Sequence, residues 1–221
     1  LESLLITIMS KASESFIVYP GAVSPELCDK IVTTGEKIDP KPGKVATENG
    51  FDINTSKRSD KVAIIPYQKD TEWLYVELWQ IVLEINRQNW GYHIEALEEL
   101  QYSQYFKDHF FGWHRDTIDT VGRLSKSNRP DLTRKISLSI QLSNPMEYSG
   151  GVLELNQNEI GDPEVPDTSD PKNRSGEMDT GELAASRGSI IAFPSIIRHR
   201  VSPIRHGCRK ALVAWVGGKD I

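Results

Sequence analysis

Three side chains with metal-ligating chemistry stand out in the amino-acid sequence. His114 and Asp116 flank a single residue, and His199 follows an apolar run that ends in Phe193-Pro194. Side chains at i and i+2 of a β-strand point to the same face, so the first two would be presented together. Two imidazoles and one carboxylate on one face of an octahedron leave three positions open, which suits iron(II). The spacing therefore predicts a metal centre formed by His114, Asp116 and His199.

An anchor for an anion follows the second histidine. Arg209 lies ten residues after His199, in Gly207-Cys208-Arg209-Lys210, at the start of the last predicted strand. A guanidinium grips a carboxylate through two parallel hydrogen bonds. A lone arginine is more often a surface charge, but this offset favours a ligand for an acid bound beside the metal.

The first part of the chain, to about Asn89, is predicted to be partly helical. Ser24-Pro25-Glu26 supplies a hydroxyl N-cap, a proline at the first helical position and an acid near the positive end of the dipole. A second helix is predicted from about Asp70 to Asn89. Its apolar residues cover more than one stripe, which predicts burial against a sheet.

After Leu100, short apolar runs separated by turn residues indicate antiparallel β-structure. Ile136–Leu142 alternates cleanly, with Ser137, Ser139 and Gln141 on the polar face. Further strands are predicted at Gly150–Leu155, Ser189–Pro194, Arg198–Ser202 and Lys210–Val216. The fold class is therefore α+β, mainly β, with a double-stranded β-helix (jelly-roll) core and N-terminal helices packed on one sheet.

Composition limits the partners and the compartment. A net charge of −5 disfavours nucleic acid as a partner, because the phosphates need a basic surface.

The two cysteines, Cys28 and Cys208, lack a C-x-x-C arrangement. They could form one disulfide, but two reduced thiols in the cytoplasm are favoured. The apolar run Leu4–Met9, predicted to be a strand or a loose end, is too short to cross a bilayer and lacks a basic n-region. We therefore expect no membrane association.

An acidic stretch, Asn156–Glu182, carries few apolar groups and reads as an exposed insertion. A substrate lid and a solvated loop are equally compatible with it.

Over roughly residues 100 to 216, the chain resembles prolyl 4-hydroxylase-type 2-oxoglutarate oxygenases. Their Y…(W)H-x-D motif resembles the run Tyr105–Asp116. The strands after that motif resemble Arg134–Ser137, Leu142-Ser143 and Gly150–Leu153. Their closing pattern resembles Phe193–Ser195, His199–Ile204, Gly207–Arg209 and Trp215.

The resemblance implies roles for individual residues. His114, Asp116 and His199 would bind iron(II), with no catalytic residue beyond these ligands. Halogenases of the superfamily lack the carboxylate, so Asp116 disfavours halogenation. Arg209 would pair with the distal carboxylate of 2-oxoglutarate, assisted by the Tyr105 hydroxyl.

Two further residues would line the cosubstrate pocket. Gln141 matches a pocket-facing residue, and Leu153 matches an apolar wall. Ascorbate is a further candidate cofactor. The whole chain, 1–221, would form a single oxygenase domain, with supporting elements in 1–100 and the catalytic jelly roll in 101–217.

The activity implied is hydroxylation of a C–H bond, with a proline-containing peptide or protein as the expected substrate. Two alternatives stay open: hydroxylation of a small molecule or free amino acid, and a jelly-roll module that binds metal without turnover. The remaining arginines are expected to be solvated, with a role for a few of them in lining a substrate groove left open: Arg58, Arg134, Arg198, Arg200 and Arg205.

Overall fold

A computed structural model gives the architecture and describes residues 11–12, 16–47, 50–117, 132–156 and 177–219. Its helices are α1 (Pro25–Glu36), α2 (Glu72–Asn89) and α3 (Gly181–Ala185), with a 3-10 turn at Pro145–Glu147. The strands up to the first histidine ligand candidate are β1 (Lys11–Ala12), β2 (Ile17–Tyr19), β3 (Lys41–Pro42), β4 (Val45–Thr47), β5 (Gly50–Asp52), β6 (Arg58–Ser59), β7 (Lys61–Ile65), β8 (Ala96–Leu97), β9 (Leu100–Tyr105) and β10 (Phe110–His114). The later strands are β11 (Thr133–Gln141), β12 (Tyr148–Gly150), β13 (Leu153–Asn156), β14 (Glu177–Asp179), β15 (Ile190–Pro194), β16 (Arg198–Val201), β17 (Ile204–Gly207) and β18 (Arg209–Gly218).

The described strands form two main antiparallel sheets. The larger has the order β1-β2-β15-β11-β18-β9-β7-β3, with β8 also paired to β18, and the smaller has the order β14-β13-β16-β10-β6. Two short ladders, β12 with β17 and β4 with β5, complete the set. The predicted α+β, mainly β class with a jelly-roll core is confirmed.

Strand β11 separates two environments. Its Ile136, Leu138 and Ile140 pack with α1 and α2 in one apolar cluster. The opposite face carries Ser137 and Gln141, which are also buried. The predicted alternation is confirmed, and the polar face of β11 points between the sheets because its apolar face is covered by the helices.

Helix α1 begins where the sequence predicted. The Ser24 hydroxyl accepts a hydrogen bond from the Leu27 backbone N–H at 3.2 Å, and Pro25 occupies the first helical turn. Near its end, Gly35 lies directly against the buried ring of Tyr102 on β9. The helix therefore approaches the sheet at a position that has no room for a side chain.

Helix α2 buries one face only. Leu74, Leu78 and Val82 are among its buried residues, whereas Val76 and Leu83 are 54% and 40% exposed. The predicted burial of α2 against a sheet is confirmed, because its buried residues join those of the large sheet in one apolar cluster. The apolar residues on its other side are exposed among the described residues.

Parts of the sequence prediction lie outside the described residues. These are the run Leu4–Met9 and residues 157–176 of the acidic stretch. The end of that stretch is not a loop, because Glu177–Asp179 pairs with β13 as an edge strand. Among the described helices, none has the length and apolar character needed to cross a membrane.

The contact between α1 and β9 should reverse the usual effect on stability of replacing glycine by alanine in a helix. Replacing glycine by alanine inside an unpacked helix raises stability by roughly 1 kcal/mol. A Cβ at Gly35 would lie 2.3 Å from Tyr102 Cγ, so we expect Gly35→Ala to lower the free energy of unfolding by about 1–3 kcal/mol. Urea unfolding measures this, with Thr33→Ala on the exposed face of α1 as the control. A stabilised Gly35→Ala protein would contradict the packing.

Candidate metal centre and cosubstrate cavity

The two candidate histidine ligands face each other across a ladder. Strand β10 pairs with β16 in antiparallel register, with His114 opposite His199. Directly opposed residues project their side chains to the same face of a sheet. The two imidazole centroids are accordingly 4.2 Å apart.

The carboxylate reaches this point by a different route from the one predicted. Asp116 lies beyond the end of β10, so the i, i+2 rule of a strand does not orient it. Its backbone N–H donates to the Ser195 carbonyl at 3.1 Å. The Ser137 hydroxyl donates to Asp116 Oδ2 at 2.7 Å, and its oxygen is 2.9 Å from the Ser195 hydroxyl. Two serines on β11 and after β15 therefore hold the carboxylate in place.

The candidate ligand atoms converge. His114 Nε2 is 3.7 Å from Asp116 Oδ1, and His199 Nε2 is 3.4 Å from Asp116 Oδ2. All three residues offer ligand atoms within 4.8 Å of one another. The group is the one predicted from the sequence.

Hydrogen bonds on the far side of each ring fix the tautomers. His114 Nδ1 lies 2.8 Å from the Gly112 carbonyl, and His199 Nδ1 lies 2.9 Å from the Ile197 carbonyl. A carbonyl only accepts, so each neutral ring carries its proton on Nδ1 and turns the Nε2 lone pair toward Asp116. Three electron-pair donors facing one another in a buried site repel unless a cation lies between them. The donor set therefore fits a divalent metal ion.

The electrostatics agree with this arrangement. Burial lowers the pKa of His114, and the neighbouring His199 lowers it further, so the ring stays neutral. Burial alone would raise the pKa of Asp116. The charge of the two imidazoles when they are protonated, the Arg134 guanidinium and the hydrogen bond from the Ser137 hydroxyl outweigh that effect, so the pKa of Asp116 lies below its usual range. A neutral His114 imidazole and an ionised Asp116 carboxylate are protonation states that a metal requires.

A cavity of about 200 Å³ lies beside the candidate metal site. Three of the four predicted cosubstrate residues, Arg209, Gln141 and Leu153, line it. The metal ligands do not line it, but β13 connects the two places. Leu155 opposes His199 in the ladder, and Leu153 lies two residues earlier on the same strand.

Arg209 has the surroundings of an anion anchor. It is 4% exposed and lies opposite Tyr105 in the ladder of β18 with β9. The Gln141 amide donates to the Tyr148 hydroxyl at 2.8 Å, which orients the amide at the cavity wall. Gly151 at the cavity wall has a φ of 63°, in the left-handed region that favours glycine.

Tyr105, the fourth predicted residue, is not among the lining residues. Its ring centroid is 5.6 Å from the Arg209 guanidinium carbon, and its side chain is buried. Burial raises the pKa of its hydroxyl, and the charge of Asp60 raises it further. The hydroxyl therefore stays protonated and can donate a hydrogen bond.

The structure contradicts the prediction of solvation for Arg58 and Arg134, whereas Arg205 is exposed as predicted. Arg58 is buried in an ion pair with Asp60. Arg134 forms a two-pronged ion pair with Glu98 at 2.8 and 2.6 Å, and its guanidinium carbon lies 4.1 Å from the Trp215 ring centroid. Neither ion pair was predicted, because the spacing of each arginine from its carboxylate partner matches no metal-binding motif and no helical repeat.

Sequence reasoning also missed three residues that contact the candidate ligands. Ser137 and Ser195 hold Asp116, and the Phe111 ring stacks on His114 with centroids 3.6 Å apart. A signal existed for Ser137 alone, because it lies on the polar face of a strand whose other face is apolar.

Comparison with known proteins identifies the family. Residues 100–217, more than half of the chain, match the model of the 2OG-Fe(II) oxygenase superfamily. The chain therefore belongs to this superfamily, and membership implies iron(II) and 2-oxoglutarate.

Individual relatives agree with this assignment. The chain is 33% identical over 117 residues to a PKHD-type hydroxylase of Thermosynechococcus vestitus, covering 53% of this chain and 42% of that protein. It spans less than half the length of the curated relatives that it matches.

Solved structures share the fold at low identity. A prolyl-4-hydroxylase of Pseudomonas putida superposes with a TM-score of 0.62 at 17% identity over 94% of each chain. A prolyl hydroxylase of Trichoplax adhaerens, solved with a hypoxia inducible factor peptide fragment, superposes with a TM-score of 0.63 at 17% identity, covering 92% of this chain and 84% of that one.

The hydrogen bond to Asp116 predicts the effect of a small substitution. Without the Ser137 hydroxyl, the carboxylate loses a donor that orients it, so we expect Ser137→Ala to weaken Mn(II) binding by about 10–100-fold. Isothermal titration calorimetry measures this. Ser139→Ala, two residues along the same face of β11, serves as the control and should bind Mn(II) like the parent.

The lowered pKa of His114 predicts how the stability of the metal-free protein depends on pH. Its pKa is about 3 in the folded protein and roughly 6.5 in an unfolded chain. Between these values the unfolded chain binds more protons, so stability falls as the pH is lowered from about 6.5. We expect His114→Gln to remove up to about 1.4 kcal/mol of this loss per pH unit between pH 6 and 4.

Urea unfolding at several pH values checks that prediction. His206→Gln, which removes an exposed histidine of β17, should leave the slope unchanged. Equal slopes for the parent and His114→Gln would show that His114 does not titrate abnormally.

Proposed function

We propose that this chain is an Fe(II)- and 2-oxoglutarate-dependent dioxygenase that hydroxylates a C–H bond. His114, Asp116 and His199 hold the iron. The observation that carries the proposal is the convergence of two Nε2 lone pairs and a carboxylate within 4.8 Å, beside a cavity that contains a buried guanidinium.

The bound iron and 2-oxoglutarate supply the oxidising chemistry, in which one oxygen atom of dioxygen enters the substrate and succinate and carbon dioxide leave. The protein supplies geometry. Arg209 offers a forked donor to the distal carboxylate, and its burial strengthens that pairing because little water competes. The Gln141 amide and the Leu153 side chain form the cavity walls. The contacts of Ser137 and Ser195 would keep the Asp116 carboxylate turned toward the two imidazoles, as a metal ligand requires.

We propose a peptidyl proline as the substrate. The structural relatives named above as prolyl hydroxylases, one of them solved with a peptide fragment, support this choice. The β4–β5 hairpin also exposes Phe51 and an adjacent Ile53, apolar side chains that a bound peptide would cover.

We also propose a single domain, a cytoplasmic location and a role for ascorbate. Residues 1–221 act as one oxygenase domain, with 1–100 supporting the core at 101–217. Both cysteines are free thiols, which is compatible with a cytoplasmic location. Ascorbate acts as a reductant, and its omission from the assay tests whether turnover slows.

The central experiment is incubation with Fe(II), 2-oxoglutarate and a panel of proline-containing peptides. The proposal expects succinate and a peptide heavier by one oxygen atom, only in the complete mixture and not with His199→Ala. Formation of succinate without a modified peptide would indicate that the substrate is a small molecule or a free amino acid. Metal binding with no succinate under any condition would leave a non-catalytic metal-binding module.

A second measurement tests Arg209. Loss of a charge-assisted hydrogen-bond pair costs about 1.5–3 kcal/mol, so Arg209→Met should raise the KM for 2-oxoglutarate by roughly 10–100-fold. Arg205→Met, at an exposed position of the preceding strand, is the matched control and should leave this KM unchanged. An unchanged KM in Arg209→Met would remove Arg209 from the cosubstrate site.

A further inference from the structure

The buried ion pair of Arg58 and Asp60 lies next to the candidate metal centre and has no role in the proposed chemistry. Arg58 Nε donates to Asp60 Oδ1 at 2.6 Å, and a terminal nitrogen donates to Oδ2 at 2.8 Å. The Arg58 side chain is 7% exposed and that of Asp60 is fully buried. An apolar pair of similar volume often stabilises a protein as well or better, so stability alone is a weak reason for this pair.

On one side, the pair contacts the metal centre through an aromatic ring. Arg58 lies opposite Phe111 in the ladder of β6 with β10, and its guanidinium carbon is 4.4 Å from the ring centroid. The Phe111 ring lies nearly parallel to the His114 ring, at 13° and 3.6 Å between centroids. The Phe111 ring therefore contacts both the Arg58 guanidinium and the His114 imidazole, and these contacts limit rotation of the His114 ring.

On the other side, the pair holds the base of the β4–β5 hairpin. The third donor of Arg58 reaches the Lys44 carbonyl at 3.0 Å, and the Gly43 N–H donates to the Asp60 carbonyl at 3.0 Å. A Cβ at Gly43 would lie 2.0 Å from Asp60 Oδ1 and 2.3 Å from Arg58 Nε. The backbone before the hairpin is therefore packed directly on the ion pair.

The charges of the pair also act on the cosubstrate side. Asp60 raises and Arg58 lowers the pKa of the buried Tyr105 hydroxyl, after the larger effect of burial. Tyr105 in turn lies opposite Arg209 in the ladder.

We propose that Arg58 and Asp60 are positioning residues, which hold the Phe111 ring against His114 and fix the base of the hairpin relative to the metal centre. This inference rests on the proposed function, because it assigns the pair to the same site. Its consequence is that metal binding depends on a pair that contributes no ligand atom.

The test separates positioning from stability by replacing both charges at once. In Arg58→Leu/Asp60→Leu the fold has no unpaired buried charge, so the urea midpoint should be retained. The Phe111 ring that stacks on His114 loses its guanidinium contact, so Mn(II) should bind about tenfold or more weakly. The visible absorption spectrum of the Co(II)-loaded variant should differ from that of the parent, because the spectrum reports coordination geometry.

Arg58→Lys provides a second variant that keeps the charge but loses the fork. It should show a smaller loss of Mn(II) affinity than the double variant. The control is Arg87→Met, which breaks the exposed Arg87–Glu84 ion pair on α2 and should bind Mn(II) like the parent. Parent-like Mn(II) affinity and Co(II) spectrum in the folded double variant, or in Arg58→Lys if the double variant does not fold, would overturn the proposal.

The outcome for the pair is distinct from the outcome for the activity. A parent that binds Mn(II) but forms no succinate refutes the dioxygenase assignment, while the variants still decide whether Arg58 and Asp60 position the metal site. A parent that binds no Mn(II) refutes both.

Discussion

The rest of this structure depends on one constraint, which is that three lone pairs must be held toward one point inside the protein. Such donors repel one another without a cation, so the fold has to hold them together by other means. The register of β10 against β16 sets His114 opposite His199. Backbone carbonyls hold the far side of each ring, and two serines hold the carboxylate. The site is therefore organised by the neighbours of the candidate ligands and not by the ligands alone.

The polar side chains of the site lie between the two sheets beside a smaller apolar cluster, and the larger apolar cluster lies on the helix-covered face. The helices cover one face of the large sheet, where Ile136, Leu138 and Ile140 join a cluster of fully buried side chains. The opposite face of the same strand presents Ser137 and Gln141 to the candidate site. This division lets one strand contribute to stability on one side and to the site on the other. The jelly roll can then bury charged groups because the helix-covered face supplies apolar burial.

The sequence predicted the elements better than it predicted their surroundings. Alternation in Ile136–Leu142 and the N-cap at Ser24 depend on neighbours in the chain, and both features are present. The residues proposed as metal ligands were found from their types and from a family resemblance, and they converge in the structure. Their roles, and those of Arg209, Gln141 and Leu153, stay predictions until binding is measured.

What could not be predicted depends on partners that are remote in the chain. Arg134 is paired with Glu98, and nothing in either local sequence indicates the other. Asp116 lies outside its strand, so the periodicity that suggested it was not the reason for its orientation. Exposure of Val76 on α2 follows from which side of the helix meets the sheet, and an all-round apolar pattern does not specify a side.

Strand β18 carries Arg209 at its first residue and is fixed along its whole length. It pairs with β11, β9 and β8, and a Cβ at Gly218, its last residue, would lie 1.8 Å from the His93 carbonyl oxygen. A one-residue insertion or deletion within the strand would turn the guanidinium to the opposite face of the sheet. The number of residues in β18 must therefore stay constant for the cavity to keep its guanidinium.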